Sequence, residues 1–259
     1  MTLEVVGLHY YFCTRMVCTD GFFSAMAAEL GKNFRCLAPD LLGHGISSTL
    51  RYQSQAPALE QMLNDLKAVL KYLHIDSCFV FGHSLGGVLA LRLAMLGLAD
   101  LVYCFEPVIF PPELDQESQV LGSQLALRAQ RRQQWFQSRE DALAHFSAKP
   151  PFQSFDDAAL KEYVDHGLEA GEQGGFRLRC PPAHEASVFR QAAGHDAGLW
   201  AALPSCGARV VLASGSSEEG PHAVLPLAAA RLAAHISAGR LSSSPVRHER
   251  LDGLDHFGP

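Results

Sequence analysis

The 259-residue sequence lacks several features that would assign a protein directly to a functional class. Lys and Arg together number 21 against 27 acidic residues, so no excess of positive charge argues for binding to nucleic acid. Seven cysteines form no Cys-x-x-Cys pair, which argues against a disulfide framework and a zinc site. No run of about 18 apolar residues occurs, and residues 1–10 lack the pattern of a secretory leader. We therefore expect a soluble, cytoplasmic protein without a membrane span that acts on a small molecule, and its oligomeric state stays open.

The alternation of short apolar runs with longer amphipathic segments points to an α/β architecture. Between the early strand candidates, apolar side chains spaced three and four apart from Leu59 to Leu73 predict a helix. Parallel strands covered by helices on both faces give this pattern. We predict a mostly parallel central sheet flanked by helices. The candidate strands are residues 34–38, 78–81, 101–105, 209–213 and 246–251, with residues 3–8 as a further candidate.

The segment 111–203 differs from the rest of the chain because no strand pattern is visible in it. We predict one polar helix over residues 116–145 and a second that begins at Asp156, whose carboxylate suits the N-cap position. Prolines flank the segment on both sides, as they often do at linkers. We therefore predict a core formed by residues 1–110 and 204–259, with residues 111–203 inserted as a helical cap.

The cap segment also carries a cluster of positive charge and several aromatic residues. Arg128, Arg131 and Arg132 could bind an anionic substrate, but such groups are more often a solvated helix face, and we adopt that interpretation. Most of the aromatic side chains are expected to pack the cap, and the others to line a hydrophobic pocket for a largely apolar substrate. These aromatic residues are Trp135, Phe136, Phe146, Phe152, Phe155 and Phe189.

The sequence around Ser84 has the pattern of a strand-to-helix turn that exposes a nucleophile. It reads Phe-Gly-His-Ser-Leu-Gly-Gly and is followed by an apolar helical segment. In such a turn the serine adopts a strained backbone, and Gly82 and Gly86 let the neighbouring backbones pass closely. The N–H of Leu85 then becomes a natural donor to a developing oxyanion. Packing of a helix on a sheet is the structural alternative.

Three motifs together resemble the α/β-hydrolase family over residues 9–259. They are residues 38–47 (APDLLGHGIS), the turn at residues 82–86 and residues 253–259 (GLDHFGP). In that family the nucleophile, the acid and the histidine follow one another along the chain. The resemblance implies that Ser84 is the nucleophile and His256 the base that removes its proton. It also implies hydrolysis of an ester or thioester of a small acyl substrate without a cofactor or metal.

Two glutamates compete for the acid that orients His256. Glu218 occupies the usual family position after a late strand. Glu106 lies at the end of an earlier strand and is similar to the strand-end glutamate of some haloalkane dehalogenases. A carboxylate on a rigid strand end is more often functional than one in a polar loop, so Glu106 is preferred and Glu218 is the alternative.

The sequence departs from the family at the second oxyanion donor. The family usually has His-Gly there, whereas here His9 is followed by Tyr10 and Tyr11. We expect the N–H of Tyr11, or of Tyr10, to act with that of Leu85. Measured against the family, two early strands and the last helix are also missing, so the chain is expected to be truncated at both ends. These departures support a second hypothesis, a hydrolase-like ligand-binding or interaction protein with little or no turnover.

Overall fold

The protein is described by a computed structural model, which covers residues 4–9, 28–45, 47, 58–217, 220, 222–240 and 246–257. The strands of these residues are β1 (Glu4–His9), β2 (Arg35–Leu37), β3 (Cys78–His83), β4 (Ala99–Phe105), β5 (Trp135–Phe136), β6 (Leu168–Ala170), β7 (Phe176–Leu178), β8 (Arg209–Ser214) and β9 (Val246–Arg250). The helices are α1 (Ala58–Tyr72), α2 (Leu85–Met95), α3 (Asp115–Gln130), α4 (Arg139–Ser147), α5 (Asp157–Gly167), α6 (Pro182–Ala192), α7 (Ala197–Ala202) and α8 (Val224–Gly239).

The main sheet has six strands in the order β2-β1-β3-β4-β8-β9, and every pair in it is parallel. All six predicted strands are present, with ends that differ by at most two residues. The predicted α/β class, a parallel sheet flanked by helices, is confirmed. A parallel sheet of this kind carries its ligand sites beyond the carboxyl ends of its strands.

The flanking helices follow the apolar patterns of the sequence. In α1 the residues Met62, Leu63, Leu66 and Leu70 are buried at spacings of three and four, as the predicted stripe requires. Helix α2 is apolar on nearly all sides, because it packs against both β3 and β4. None of the helices in the described residues combines the length and the apolar character that a membrane crossing needs.

The expectation that the segment 111–203 contains no strands is wrong. Strands β5, β6 and β7 form a small antiparallel sheet in the order β5-β7-β6. The expected single helix over residues 116–145 is also wrong, because α3 ends at Gln130 and α4 begins at Arg139. Ser138 starts the second helix by accepting a hydrogen bond from Asp141 N–H. The second predicted helix does begin after Asp156, whose carboxylate caps it through Ala158 N–H.

Apolar packing joins part of this segment to the sheet and leaves another part with a cluster of its own. Residues of α3 and α6, including Ala126, Ala129 and Val188, belong to the large core around the main sheet. Phe136, Phe146 and other side chains from α4, α5 and the small sheet form a separate buried cluster. Packing is therefore the main role of most of the aromatic residues, as expected, although Trp135 is exposed.

Candidate active site

Ser84 occupies the bend between β3 and α2. Its backbone φ of 55° lies in the left-handed region that residues other than glycine rarely adopt. A Cβ atom at Gly82 would lie 2.4 Å from the carbonyl oxygen of Gly86, so glycine is needed for the helix to begin this close to the strand. Within the described residues, the Ser84 side chain makes no capping hydrogen bond to α2. The hydroxyl is therefore not committed to stabilising the helix.

The register of the main sheet brings Ser84 and Glu106 to one edge. His83 of β3 pairs with Phe105 of β4, and Phe105 pairs with Ala213 of β8. The N–H of Ser84 donates to the Phe105 carbonyl at 3.0 Å, and the N–H of Glu106 donates to the Ala213 carbonyl at 2.9 Å. Both residues thus follow directly on paired strand ends, at the carboxyl edge where parallel sheets carry their sites.

Glu106 and His256 form a buried pair at this edge. The Nδ1 atom of His256 lies 2.7 Å from Oε2 of Glu106, and both side chains are 1% exposed. The other carboxylate oxygen accepts a hydrogen bond of 2.9 Å from Gly215 N–H. With the carboxylate ionised, Nδ1 of His256 carries the proton and donates it to Glu106, which leaves Nε2 as the proton acceptor.

Burial raises the pKa of Glu106 to about 7, although the Gly215 N–H opposes this shift. The charge of Asp255 adds to the increase. A carboxyl group with such a pKa belongs to the perturbed groups that are concentrated at functional sites.

The loop that carries His256 is attached to the end of β8 by backbone hydrogen bonds. The N–H of Leu251 donates to the Ser214 carbonyl at 2.8 Å, and the N–H of Ser216 donates to the Leu254 carbonyl at 2.9 Å. A Cβ atom at Gly215 would lie 2.4 Å from the Leu254 carbonyl oxygen. Close approach of these two backbones therefore sets the position of the histidine.

Replacing Gly215 by Ala is expected to push the His256 loop away from β8. We expect the free energy of unfolding to fall by about 1–3 kcal/mol, as in other overpacked sites. Activity is expected to fall even under conditions in which the variant is fully folded. Denaturant unfolding and ester hydrolysis measure the two effects. The control is Gly198→Ala, because the nearest atom to a Cβ there is an Asp196 carboxylate oxygen at 3.5 Å. Equal behaviour of the two variants would contradict the prediction.

Two histidines that the sequence did not single out surround His256. The ring of His83 lies 4.7 Å from that of His256 and hydrogen-bonds to the backbone of that residue. The ring of His222 stacks on His256 at 4.8 Å with an angle of 21° between the planes. Burial lowers the pKa of both, that of His222 to about 3, so both rings are neutral at pH 7. His83 directly precedes Ser84, and this adjacency was the one available signal.

The predicted oxyanion donors are only partly described. Leu85 is the first residue of α2, and the N–H groups of a first helical turn have no partner within the helix. The alternatives for the second donor, Tyr11 and Tyr10, lie outside the described residues. So does Glu218, the alternative acid.

Two neighbouring cavities meet at this site. The larger has a volume of about 680 Å³ and is lined by Glu106 and His256. The smaller, of about 30 Å³, is lined by Ser84. Leu125 and Phe189 line both cavities and thus stand between them. In this conformation Ser84 does not line the larger cavity.

Arg128 and Arg131 are exposed, as a solvated helix face predicts, whereas Arg132 is half-buried. All three line the larger cavity, together with Glu106 and His256. The sequence predicts that these arginines lie on a polar helix. It does not indicate which side of that helix faces the site, so their position at the cavity could not be predicted.

One group of side chains outside the cavities has the composition of a metal site. Ligand atoms of His44, Cys180 and His184 lie within 4.8 Å of one another. Burial lowers the pKa of His44 to about 4, which keeps its imidazole neutral, and its Nδ1 lies 3.0 Å from the Leu42 carbonyl oxygen. A closed structural zinc site takes four ligands, and the described residues bring three together here.

Comparison with known proteins gives a family and several partial sequence matches. A family model described as "Alpha/beta hydrolase family" matches residues 9–259. The chain is 36% identical over 80 residues to a putative carbamate hydrolase of Pantoea ananatis. It is 39% identical over 74 residues to the magnesium-chelatase 30 kDa subunit of Rhodobacter capsulatus. These matches cover 30% and 28% of this chain and only 27% and 25% of the relatives.

Solved structures match over nearly the whole chain. The structure of an E-2-(acetamidomethylene)succinate hydrolase has a TM-score of 0.75 at 19% identity, covering 99% of this chain and 85% of that one. The thioesterase domain of a curacin biosynthetic pathway has a TM-score of 0.70 at 18% identity, covering 99% and 86%. At such identities the likeness shows the fold alone.

Proposed function

Because the chain belongs to the alpha/beta hydrolase family, we propose that it is a serine hydrolase that cleaves an ester or thioester bond. Ser84 is the nucleophile, His256 the general base and Glu106 the acid of the triad. The observation that carries this proposal is the buried 2.7 Å contact between Glu106 and His256 beside the strained turn of Ser84.

The first half of the proposed reaction forms an acyl-enzyme. A serine hydroxyl is a poor nucleophile at neutral pH, so Nε2 of His256 takes its proton as Oγ attacks the acyl carbonyl. Glu106 holds the proton on Nδ1 and stabilises the imidazolium that forms. The N–H of Leu85 stabilises the oxyanion, with Tyr11 or Tyr10 as the proposed second donor. His256 then gives the proton to the leaving alcohol or thiol, and the bond to the leaving group breaks.

The second half of the reaction releases the acid. His256 takes a proton from a water molecule, which attacks the acyl carbonyl of the Ser84 ester. The bond between Oγ and the acyl carbon then breaks, and the proton returns to Oγ. These steps use only side chains and backbone groups of this chain, and the proposal includes no cofactor or metal.

A core of residues 1–110 and 204–259, with residues 111–203 as a cap, is also part of this proposal. The larger cavity is lined both by the predicted core residues Glu106 and His256 and by cap residues such as Leu125 and Phe189. The cap would then shape the substrate pocket and exclude water during acyl transfer.

Trapping the acyl-enzyme tests the proposed function. The wild-type protein is mixed with p-nitrophenyl butyrate or with a p-nitrophenyl carbamate, quenched in acid, and its mass is measured. The carbamate is included because a relative is called a putative carbamate hydrolase. We expect a mass increase equal to one acyl or carbamoyl group, and none in Ser84→Ala. A burst of p-nitrophenol equal to the enzyme concentration without any adduct on the protein would contradict the acyl-enzyme.

A ligand-binding protein with little or no turnover is the second candidate. The separation of Ser84 from the larger cavity by Leu125 and Phe189 favours it. It predicts that folded wild-type protein neither forms an adduct nor hydrolyses any of the esters. Formation of the adduct on Ser84 would exclude it.

A further inference from the structure

The larger cavity has positive charge on one wall, although the whole chain has a formal net charge of −6. Arg128, Arg131 and Arg132 reach it from the C-terminal end of α3, and Lys149 reaches it from the residues after α4. Two separate segments of the chain thus bring cations to the cavity that contains Glu106.

Only one of these cations has an acidic partner among the described residues. Nη1 of Arg132 lies 2.6 Å from an oxygen of the buried Glu185. Arg128 and Arg131 are exposed, and no described carboxylate forms an ion pair with either. Nζ of Lys149 lies 3.1 Å from Nε2 of His145, which is not an acid. Three positive charges are therefore left over on this wall.

The other described acids that line the cavity, Glu106 and Asp255, lie at its His256 end. Glu106 is held by His256 and Gly215, and Asp255 accepts a hydrogen bond of 2.8 Å from Phe257 N–H. Each helix C-terminus carries roughly half a negative charge, so the ends of α3 and α4 together offset about one of the three. Counted over the described residues, a net positive charge stays on this wall.

The positive charge extends toward the reaction centre. Arg128 helps to lower the pKa of His222, and the ring of His222 stacks on that of His256. Arg132 and Lys149 likewise help to lower the pKa of His145, another lining residue. The charges of these cations therefore affect the pKa values of groups inside the cavity.

On the basis of the proposed function, we infer that the substrate carries an anionic group that binds to Arg128 and Arg131 while its acyl carbonyl lies at Ser84. The anion is a carboxylate at the far end of the acyl chain or a phosphate on the leaving group. A guanidinium group binds either one through paired hydrogen bonds. The apolar residues Leu125 and Phe189 would contact the chain between the two ends.

Three substrates separate these cases. The p-nitrophenyl ester of butyrate is neutral, that of glutarate carries a carboxylate on the acyl chain, and butyryl-coenzyme A carries phosphates on the leaving group. For each substrate, kcat/KM of the wild type is divided by the rate constant for hydrolysis of that substrate by hydroxide. We expect this ratio to be at least about tenfold higher for one of the anionic substrates than for the neutral ester. Which of the two is preferred identifies the source of the anion.

The variants Arg128→Ala and Arg131→Ala, and the double variant, test the proposed contacts. We expect each to lower kcat/KM for the preferred anionic substrate, through KM, about tenfold more than it lowers that for the neutral ester. The control is Arg231→Ala, which removes the same charge from an exposed position of α8 that does not line the cavity. Equal losses for neutral and anionic substrates, or no loss for either, would overturn the inference.

A binding measurement separates failure of this inference from failure of the proposed function. Glutarate and inorganic phosphate are tested as stabilising ligands of Ser84→Ala in thermal unfolding. Stabilisation that is lost in the double arginine variant, without turnover of any ester by the wild type, would support the anion site and contradict the hydrolase. Turnover of all three substrates at equal relative rates, without stabilisation by glutarate or phosphate, would support the hydrolase and contradict the anion site.

Discussion

Replacing Ser84 by Ala is expected to lower kcat for hydrolysis of p-nitrophenyl butyrate by about 10⁴- to 10⁶-fold, if Ser84 is the proposed nucleophile. The change removes the atom that attacks the carbonyl, and water must then react without the covalent intermediate. Because the Oγ atom makes no capping hydrogen bond within the described residues, the free energy of unfolding is expected to change little. Steady-state kinetics and denaturant unfolding measure the two quantities.

Ser118→Ala is the matched control for this variant. Ser118 lines the same small cavity as Ser84, but its hydroxyl donates to the Asp115 carbonyl at 2.7 Å within α3. We expect its loss to lower stability by about 1 kcal/mol and to leave kcat within about threefold. If Ser84→Ala retained more than a tenth of the wild-type kcat, Ser84 could not be the nucleophile.

Glu106→Gln is expected to lower kcat by about 10³- to 10⁴-fold with little change in KM. The amide oxygen can still accept the hydrogen bond from Gly215 N–H, which places the NH₂ group opposite Nδ1 of His256. The imidazole must then accept at Nδ1 and carry its proton on Nε2. In that tautomer it cannot take the proton of Ser84.

The alternative acid supplies the control for this prediction. Glu218→Gln removes the same charge from the position that the family more often uses. We expect it to retain kcat within about threefold, since both oxygens of Glu106 are already engaged by Gly215 and His256. A large loss in Glu218→Gln together with a small one in Glu106→Gln would reverse the assignment of the acid.

The main sheet and the turn at Ser84 could be predicted because their signals are local. Buried parallel strands such as β3 and β8 are short apolar runs bounded by turn residues, and α1 has a clear apolar stripe. The strain at Ser84 requires glycine close by, and the sequence shows it at Gly82. Each of these features depends on a few neighbouring residues.

The small sheet could not be predicted because its strands are too short to show a pattern. Strand β5 has two residues, and β6 and β7 have three each, whereas alternation becomes visible only over four or more. The same limit explains the wrong expectation of one helix over residues 116–145. The residues on both sides of β5 are polar and typical of helices, so the sequence shows no clear break between α3 and α4.

The surroundings of His256 depend on contacts between distant parts of the chain. His222 stacks on His256 across a loop, and Arg128 reaches the same cavity from α3. No spacing in the sequence encodes these distances. The choice between Glu106 and Glu218 also depends on such a distance, which the sequence does not show. The general preference for carboxylates on rigid strand ends pointed to Glu106, which contacts His256.

The reaction of the folded wild-type protein with a fluorophosphonate, followed by mapping of the modified peptide, tests whether Ser84 is an activated nucleophile. A fluorophosphonate labels a serine whose proton is removed by a neighbouring base. We expect one phosphonate on Ser84, with labelling abolished in Ser84→Ala and slowed at least about a hundredfold in Glu106→Gln. An unlabelled wild type, or a phosphonate on another residue that persists in Ser84→Ala, would contradict this role of Ser84.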